Sequence, residues 1–223
     1  AVIDQSIKTT KDLKKQASTL EYNIKSNASN QSDDYESTLT TELAKYGYAS
    51  YEELNDYCLT SVKEKEMNKK YITKHFDEVK KAWEEKSPRT VSVIKMDVSD
   101  ADNLTETETK KKSNIDKALE KESFADVAKA FSEDSNTANK NGFAGYVDSN
   151  STSSDSSSTS TVPADVVTAA IGLKKGETSD WITVTSSSGT SLYKVYVKET
   201  NSKKIFNAKS DTVSNQALYA ILN

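Results

Sequence analysis

The spacing of hydrophobic residues along the chain changes once, at Pro88. Before this residue, hydrophobic side chains recur every three or four positions, which is the spacing of amphipathic helices. The first predicted helix, residues 4–25, has only a thin apolar stripe, so we expect a second helix to pack against it. Asp33 or Asp34 is a candidate N-cap of the next helix, and Gly47 is a candidate for its C-terminal end. The pattern therefore predicts an all-helical segment up to Pro88.

Two local signals mark the boundaries of the later helices in this segment. The sequence SYEE at residues 50–53 has the pattern of a capping box, in which Ser50 and Glu53 each satisfy a backbone N–H group of the other. Pro88 ends the helical region, because the residue before a proline avoids the helical conformation.

Beyond Pro88 the hydrophobic spacing becomes that of β-strands. Val91 and Val93, and then Met96 and Val98, recur at every second position, with one slip between the pairs. Residues 149–161 are almost entirely Ser, Thr, Asn and Asp; they have nothing to bury and are predicted to form a mobile loop. The other predicted elements are helices at residues 115–119, 124–131, 162–173 and 202–223, and strands at residues 142–147, 181–184 and 192–197.

This order of elements predicts an α+β fold. One domain, residues 89–199, is inserted in a helical lobe that residues 1–88 and 200–223 build together. We expect the C-terminal helix to return to the first lobe and to supply the partner that the N-terminal helix needs.

The composition argues against several classes of function. Of the 223 residues, 35% are hydrophobic and 29% are charged, and the net charge is −4 with acidic and basic residues interspersed. No face is predicted to be basic, so nucleic acid is not an expected partner. Cys58 and His75 are each the sole residue of their type, which argues against a disulfide and against cysteine or histidine-pair metal sites. We expect no metal and no cofactor, and no stretch approaches the roughly 18 apolar residues that span a bilayer.

Residues 90–199 resemble parvulin prolyl isomerases. FADVAKAFSED at residues 124–134 resembles the second helix of that family and the serine-x-aspartate motif after it. NGFAGY at residues 141–146 is similar to the glycine-rich start of a family strand, with three positions altered. AAIGLKKGETS at residues 169–179 resembles the next helix and turn, and GTSLYKV at residues 189–195 resembles the closing strand. The resemblance implies a parvulin-like (FKBP-like) antiparallel sheet domain with helices.

The helical flank resembles a narrower group of proteins. LAKYGYASYEEL at residues 43–54 and YITKHF at residues 71–76 are similar to the N-terminal lobe of bacterial foldases of the PrsA and SurA type. This resemblance implies a chaperone for unfolded or partly folded secreted polypeptides, outside the cytoplasmic membrane at the surface of a bacterium. PrsA-type members are lipoproteins, which implies membrane contact only through a lipid anchor outside this chain. The oligomeric state is left open, with a homodimer as one alternative.

The resemblance also implies where a proline-binding site would lie. The histidines on the first and last strands of parvulins align with Val93 and Ser191, and neither side chain can replace an imidazole. The aspartate or cysteine near them aligns with Asp134, so Asp134 and Ser191 are the catalytic candidates. Capping a turn is the alternative role for Asp134, and an ordinary strand position is the alternative for Ser191. The candidates for the apolar proline pocket, for which core packing is the alternative, are Val93, Val162, Val166 and Ile171.

Rotation about an X-Pro bond needs no covalent step. Amide resonance sets a barrier of roughly 18–20 kcal/mol, so an isomerase must hold the proline ring and favour the twisted amide through hydrogen bonds and local polarity. Because both histidines are missing, we expect a foldase whose parvulin domain is weakly active or inactive. The alternatives are an active peptidyl-prolyl cis-trans isomerase and a non-enzymatic surface scaffold protein.

Aromatic residues are concentrated in the helical segment. Core packing is one explanation for them. The other is a hydrophobic groove for unfolded client polypeptides, because uncovered apolar surface marks a binding site. The client-binding candidates are Tyr46, Tyr48, Tyr51, Tyr57, Phe76 and Trp83.

Overall fold

The structure, a computed structural model, describes residues 6–152 and 162–222. Its contacts divide the chain into two compact units, one ending at Phe76 and the other beginning at Asp77. This boundary lies earlier than the one predicted between residues 88 and 89, because the helix before Pro88 packs with the sheet domain.

The first unit is built from helices. They are α1 (Lys11–Ser29), α2 (Tyr35–Ala44) and α3 (Leu54–Lys74), and one 3₁₀ turn (Tyr51–Glu53) precedes α3. The predicted capping box of Ser50 and Glu53 is present at that turn. Gly47, just beyond α2, has a φ of 82°, a conformation that glycine adopts without steric cost.

The partner of α1 lies inside the first unit. α1 packs along α3, and their shared core includes Leu13 and Ala17 from α1 and Leu54, Cys58 and Val62 from α3. The apolar residues of both helices recur at four-residue spacing, so the two helices present matching stripes. This differs from the prediction that the C-terminal helix is the partner of the N-terminal helix.

The second unit combines helices with a sheet. Its elements are α4 (Phe76–Glu85), β1 (Arg89–Val98), α5 (Glu106–Leu119), α6 (Phe124–Phe131), α7 (Ser135–Ala138), β2 (Phe143–Val147), α8 (Ala164–Gly172), β3 (Ile182–Ser186), β4 (Gly189–Glu199), α9 (Ser202–Phe206) and α10 (Asp211–Leu222). A 3₁₀ turn (Ser149–Thr152) follows β2. The mobile loop predicted over residues 149–161 begins with this turn, and residues 153–161 lie outside the described residues.

β1 is a central strand of the four-stranded antiparallel sheet, whose order is β2-β1-β4-β3. Both faces of β1 are covered. Val91 and Val93 pack with α8 in one core cluster, whereas Ile94, Met96 and Val98 pack with α5 and α6 in another. The slip in the hydrophobic pattern is therefore a change of face within one continuous strand. The predicted α+β fold with an antiparallel sheet is confirmed.

The C-terminal helices belong to the second unit. α10 contacts β2, and α9 contacts β1. Ser202 Oγ donates to Glu84 Oε1 of α4 (2.6 Å), and Lys86 Nζ donates to the carbonyl oxygen of Ala220 (2.9 Å). The partners of the C-terminal helices are thus the sheet and α4.

A buried chain of hydrogen bonds joins α4 to β2. Trp83 is 1% exposed; its Nε1 donates to the hydroxyl of Tyr146 (2.9 Å), and that hydroxyl donates to Asp148 Oδ2 (2.8 Å). Asp148 Oδ1 accepts from the backbone N–H groups of Asn150 and Ser151. Burial, followed by the charge of Asp148, raises the pKa of Tyr146, so its hydroxyl stays protonated. Polar and apolar contacts together fix α4 to the sheet domain.

The first turn of α5 depends on one carboxylate. Glu108 accepts the backbone N–H groups of Ser99 and Thr105, each at 2.7 Å, and these bonds lower the pKa of Glu108 to about 2. The pKa in the folded state is below that in the unfolded chain. Ionised Glu108 therefore stabilises the fold above the unfolded-state pKa, and this stabilisation is lost as the pH falls towards 2.

We expect Glu108→Gln to flatten the decrease in the free energy of unfolding between about pH 4.5 and pH 2. Urea denaturation at several pH values measures this decrease. Glu106→Gln is the matched control, because Glu106 lies in the same first turn and its side chain makes no hydrogen bond within the described residues. An equally steep decrease in Glu108→Gln and in the unchanged protein would contradict the capping role.

Candidate functional site

Two neighbouring strands form the floor of a cavity on the α8 face of the sheet. Side chains alternate across a strand, so every second residue of β1 and β4 points to this face. The pairs on this face are Val93 with Val195, Lys95 with Tyr193 and Asp97 with Ser191. The cavity has a volume of about 180 Å³ and is lined by Val93, Lys95, Asp134, Asn136, Thr137, Ala144, Val162, Pro163 and Tyr193.

The segment between α6 and β2 closes one side of the cavity, because hydrogen bonds fix it to β1. The N–H of Glu133 donates to the carbonyl oxygen of Lys95 (2.9 Å), and the N–H of Val93 donates to the carbonyl oxygen of Gly142 (2.8 Å). Gly142 has a φ of 76°, and a Cβ there would lie 2.6 Å from the Cβ of Ala128. This close approach requires glycine.

Asp134 lines the cavity, and its carboxylate caps α7. Oδ1 accepts the backbone N–H of Asn136 (3.1 Å), and Oδ2 accepts the hydroxyl of Thr137 (2.6 Å). Both oxygens are thus engaged within the same turn, which is the capping role considered from the sequence. A catalytic role for Asp134 stays a prediction.

Lys95 and Asp97 form an ion pair beside the cavity. Lys95 Nζ lies 2.8 Å from Asp97 Oδ1, and Ser191 Oγ donates to the same oxygen at 2.7 Å. The hydrogen bond to Asp97 raises the pKa of Lys95. Burial raises the pKa of Asp97, but the hydrogen bonds from Lys95 and Ser191 outweigh this effect and lower it. Both groups are charged at neutral pH, so the positive charge of Lys95 balances the negative charge of Asp97.

The predicted site residues fall into two groups. Val93, Asp134 and Val162 line the cavity together. Ser191 does not line it: Ser191 pairs with Asp97 in the ladder, whereas Val93 pairs with Val195. Val93 and Ser191 are therefore separated along the strands and do not face each other across a cleft. Two further pocket candidates, Val166 and Ile171, contribute to the core cluster beneath α8 instead.

The sequence prediction missed Lys95, Tyr193, Ala144 and Pro163 as cavity residues. One signal for Lys95 was available, because it lies two positions after Val93 on the same strand and must share its face. Tyr193 follows only from the β1–β4 register, which places it opposite Lys95. Burial is the largest influence on the Tyr193 hydroxyl and raises its pKa.

The client-binding candidates also separate into exposed and buried residues. Tyr57 contacts Tyr46 and Tyr48, with ring centroids 5.1 Å and 5.6 Å apart, and Tyr46 is 64% exposed. Tyr51 is half-buried, with the ammonium of Lys25 over its ring. Two other candidates are buried, with 7% exposure for Phe76 and 1% for Trp83. They offer no surface to a client, because packing accounts for their apolar area.

The described part of the chain contains neither a metal-binding cluster nor a membrane-spanning helix. Within residues 6–152 and 162–222, no group of three or more His, Cys, Asp or Glu side chains is placed to hold a metal ion. No helix in these two ranges is long and apolar enough to cross a membrane.

Comparison with known proteins places the cavity in a known kind of domain. Residues 92–197 match the rotamase family model, described as a PPIC-type PPIASE domain. No curated protein sequence matches the chain.

Several solved structures are also similar to the chain. The foldase PrsA of Streptococcus pneumoniae is 21% identical, with 94% of this chain and 71% of that chain covered and a TM-score of 0.42. PrsA of Bacillus subtilis is 20% identical over 99% of this chain and 75% of that chain, with a TM-score of 0.39. The peptidylprolyl isomerase PrsA of Bacillus anthracis is 19% identical over 99% of this chain and 91% of that chain, with a TM-score of 0.35.

Proposed function

Because the chain carries a parvulin-type prolyl isomerase domain at residues 92–197, we propose that it is an extracytoplasmic foldase with a degenerate isomerase site. Its clients are unfolded or partly folded secreted polypeptides, and its site binds proline-containing segments but turns them over slowly. One observation carries this proposal: the cavity has an apolar wall and, within the described residues, no imidazole. Fractionation of cells that express the protein checks the extracytoplasmic location.

The apolar wall suits a proline ring. The apolar residues that line this small cavity are Val93, Ala144, Val162 and Pro163. Burying a proline ring against such side chains is favourable by about 25 cal/mol for each Å² of apolar surface removed from water. Binding the ring does not by itself lower the barrier to rotation, since only interactions that are stronger in the twisted amide do so. A cavity that keeps its wall and has no imidazole should therefore bind better than it catalyses.

The tyrosines of the first unit supply the second part of the proposal. Tyr46, Tyr48 and Tyr57 form one aromatic cluster, and the ring of Tyr46 is largely exposed. Exposed aromatic rings gain from covering apolar side chains of a client, and their hydroxyl groups remain in water. We therefore assign client contacts outside the cavity to this cluster.

We expect a reduced and carboxymethylated, proline-containing protein to contact both regions. In NMR titrations, the methyl signals of Val93 and Val162 and the ring signals of Tyr46 should shift, and aggregation of the unfolded protein should slow. Val162→Asp should remove the shifts at Val93, because a carboxylate in the apolar wall opposes burial of a proline ring. Val162→Asp should leave the shifts at Tyr46.

Tyr22→Ser is the matched control for Tyr46→Ser, because Tyr22 is also exposed in the first unit, at 71%, and lies outside the aromatic cluster. We expect only Tyr46→Ser to weaken the suppression of aggregation. A chain that neither shifts on titration nor slows aggregation would instead be a scaffold. Rapid turnover of short proline peptides would favour an active isomerase.

A further inference from the structure

Most polar side chains that line the cavity are already engaged. The carboxylate of Asp134 accepts the hydroxyl of Thr137, and Lys95 is paired with Asp97. The side-chain amide of Asn136 makes no hydrogen bond within the described residues, but Asn136 is exposed, so water competes for it. The Thr137 hydroxyl is therefore committed to Asp134 and the Asn136 amide is solvated, whereas the Lys95 ammonium keeps further N–H groups but is held towards Asp97.

Tyr193 is neither hydrogen-bonded through its hydroxyl within the described residues nor fully exposed. Its ring packs against the core cluster beneath α8, its side chain is half-buried, and it lines the cavity. Among the described residues, no partner hydrogen-bonds its hydroxyl. The cavity therefore contains a fixed ring that carries an uncommitted O–H donor.

The β1–β4 register places this donor beside the apolar wall. Tyr193 lies opposite Lys95, and the next pair on the same face joins Val93 to Val195. A proline ring held against Val93 and Val162 would thus have its amide within reach of the neighbouring Tyr193 position. Ser191, one pair further in the other direction, is bound to Asp97.

We propose that Tyr193 is the catalytic hydrogen-bond donor of this cavity, donating to the proline nitrogen as the X-Pro amide twists. This inference rests on the proposed function. In the planar amide the nitrogen lone pair is delocalised and accepts no hydrogen bond. In the twisted amide the lone pair becomes localised on a pyramidal nitrogen, which accepts one. The bond exists only near the transition state, so it lowers the barrier. The proton stays on the tyrosine, and no covalent bond is made or broken.

The surroundings of Tyr193 keep it in the donating form. Burial raises its pKa; Lys95 lowers it, and Asp134 and Asp97 raise it further, so the net direction is upward. A phenol stays protonated throughout the neutral range. The catalysed rate should therefore be flat between about pH 5.5 and pH 8, whereas a site that depends on an imidazole changes near pH 6.5.

The test measures the exchange between cis and trans isomers of a short proline peptide by NMR, with the peptide saturating the protein. Tyr193→Phe should reduce the catalysed exchange about tenfold, the effect of one ordinary hydrogen bond. It should change the peptide dissociation constant by less than about twofold, since the bond is absent in the planar amide. Tyr196→Phe is the matched control, because Tyr196 lies on the opposite face of β4, stacked on Phe124.

A second substitution tests the donor while keeping the hydroxyl oxygen in place. A trifluorotyrosine at position 193 has a phenol that ionises near neutral pH, and a phenolate cannot donate. The catalysed exchange should then fall as the pH rises through that pKa, whereas the same residue at position 196 should leave the profile flat.

The outcomes separate this inference from the proposed function. A peptide that shifts the Val162 methyl signals but exchanges equally fast with Tyr193→Phe and with the unchanged chain overturns the role of Tyr193 alone. Binding without any catalysed exchange by the unchanged chain also overturns it, and leaves the proposed foldase intact. Failure of the peptide to bind the cavity overturns the proposed function itself.

Discussion

Trp83→Ala is expected to destabilise the second unit by about 3–5 kcal/mol, the usual cost of deleting a buried tryptophan side chain. The ring is 1% exposed and its N–H donates to Tyr146. The substitution leaves a cavity and removes one partner of a buried hydroxyl. Native-state hydrogen exchange at the Val93 amide measures the effect, because this amide bonds across to Gly142 in the second unit.

The other tryptophan provides the control. Trp181 is only partly buried and donates to Asp116, so Trp181→Ala should cost less, about 1–2 kcal/mol. Tyr146→Phe isolates the polar part of the Trp83 effect, since it removes the hydrogen bond that Trp83 Nε1 donates and the hydrogen bond that Asp148 Oδ2 accepts. A loss of about 1–3 kcal/mol is expected. Equal losses for Trp83→Ala and Trp181→Ala would contradict the anchoring role of α4.

Gly142→Ala is expected to destabilise the same unit by about 2–4 kcal/mol, through backbone strain and overpacking together. Gly142 has a φ of 76°, and a Cβ would lie 2.6 Å from the Cβ of Ala128 and 2.8 Å from the carbonyl oxygen of Val93. Because the second contact involves the strand that floors the cavity, the methyl signals of Val93 and Val162 should also shift. Urea denaturation and methyl NMR measure the two effects.

Gly176→Ala separates strain from overpacking. Gly176 has a similar φ of 87°, but among the described residues no heavy atom outside Gly176 and its two chain neighbours lies within 4 Å of an added Cβ, so only the strain of about 1 kcal/mol should remain. The difference between the two variants is the cost of the close approach at Gly142. If both variants lose the same free energy of unfolding, the tight packing of Gly142 against β1 and α6 contributes nothing.

Local features of the fold could be predicted from the sequence because they depend on residues that lie close together in the chain. The two-residue spacing of Val91 and Val93 predicted β1, and the spacing of Ser50 and Glu53 predicted a capping box. The partner of α1 was not predictable in this way. Several helices have apolar stripes, and which two stripes match is decided by contacts between distant parts of the chain.

The candidate site was likewise only partly predictable, because contacts between distant parts of the chain complete it. The resemblance to parvulins predicted one proline-binding site, and three of its candidates, Val93, Asp134 and Val162, do line one cavity. The other three candidates, Val166, Ile171 and Ser191, do not line it. Tyr193 was missed in favour of Ser191, although the two lie on the same face of the same strand. Alternation fixes the face of a strand residue, but only the pairing between strands fixes which residue stands at the cavity. The register of β1 also shifts at Thr90 and Val91, and no local pattern predicts such irregularities.

The buried hydrogen bonds from Trp83 to Tyr146 and from Tyr146 to Asp148 determine which fragments of the protein can fold. A fragment cut to the limits of the matched family domain, residues 92–197, would lack α4 and both C-terminal helices. Tyr146 and the apolar side of β2 would then meet solvent, which favours insolubility of the fragment. The shortest autonomous piece should instead begin near Asp77 and retain α10, so that excision leaves this interior intact.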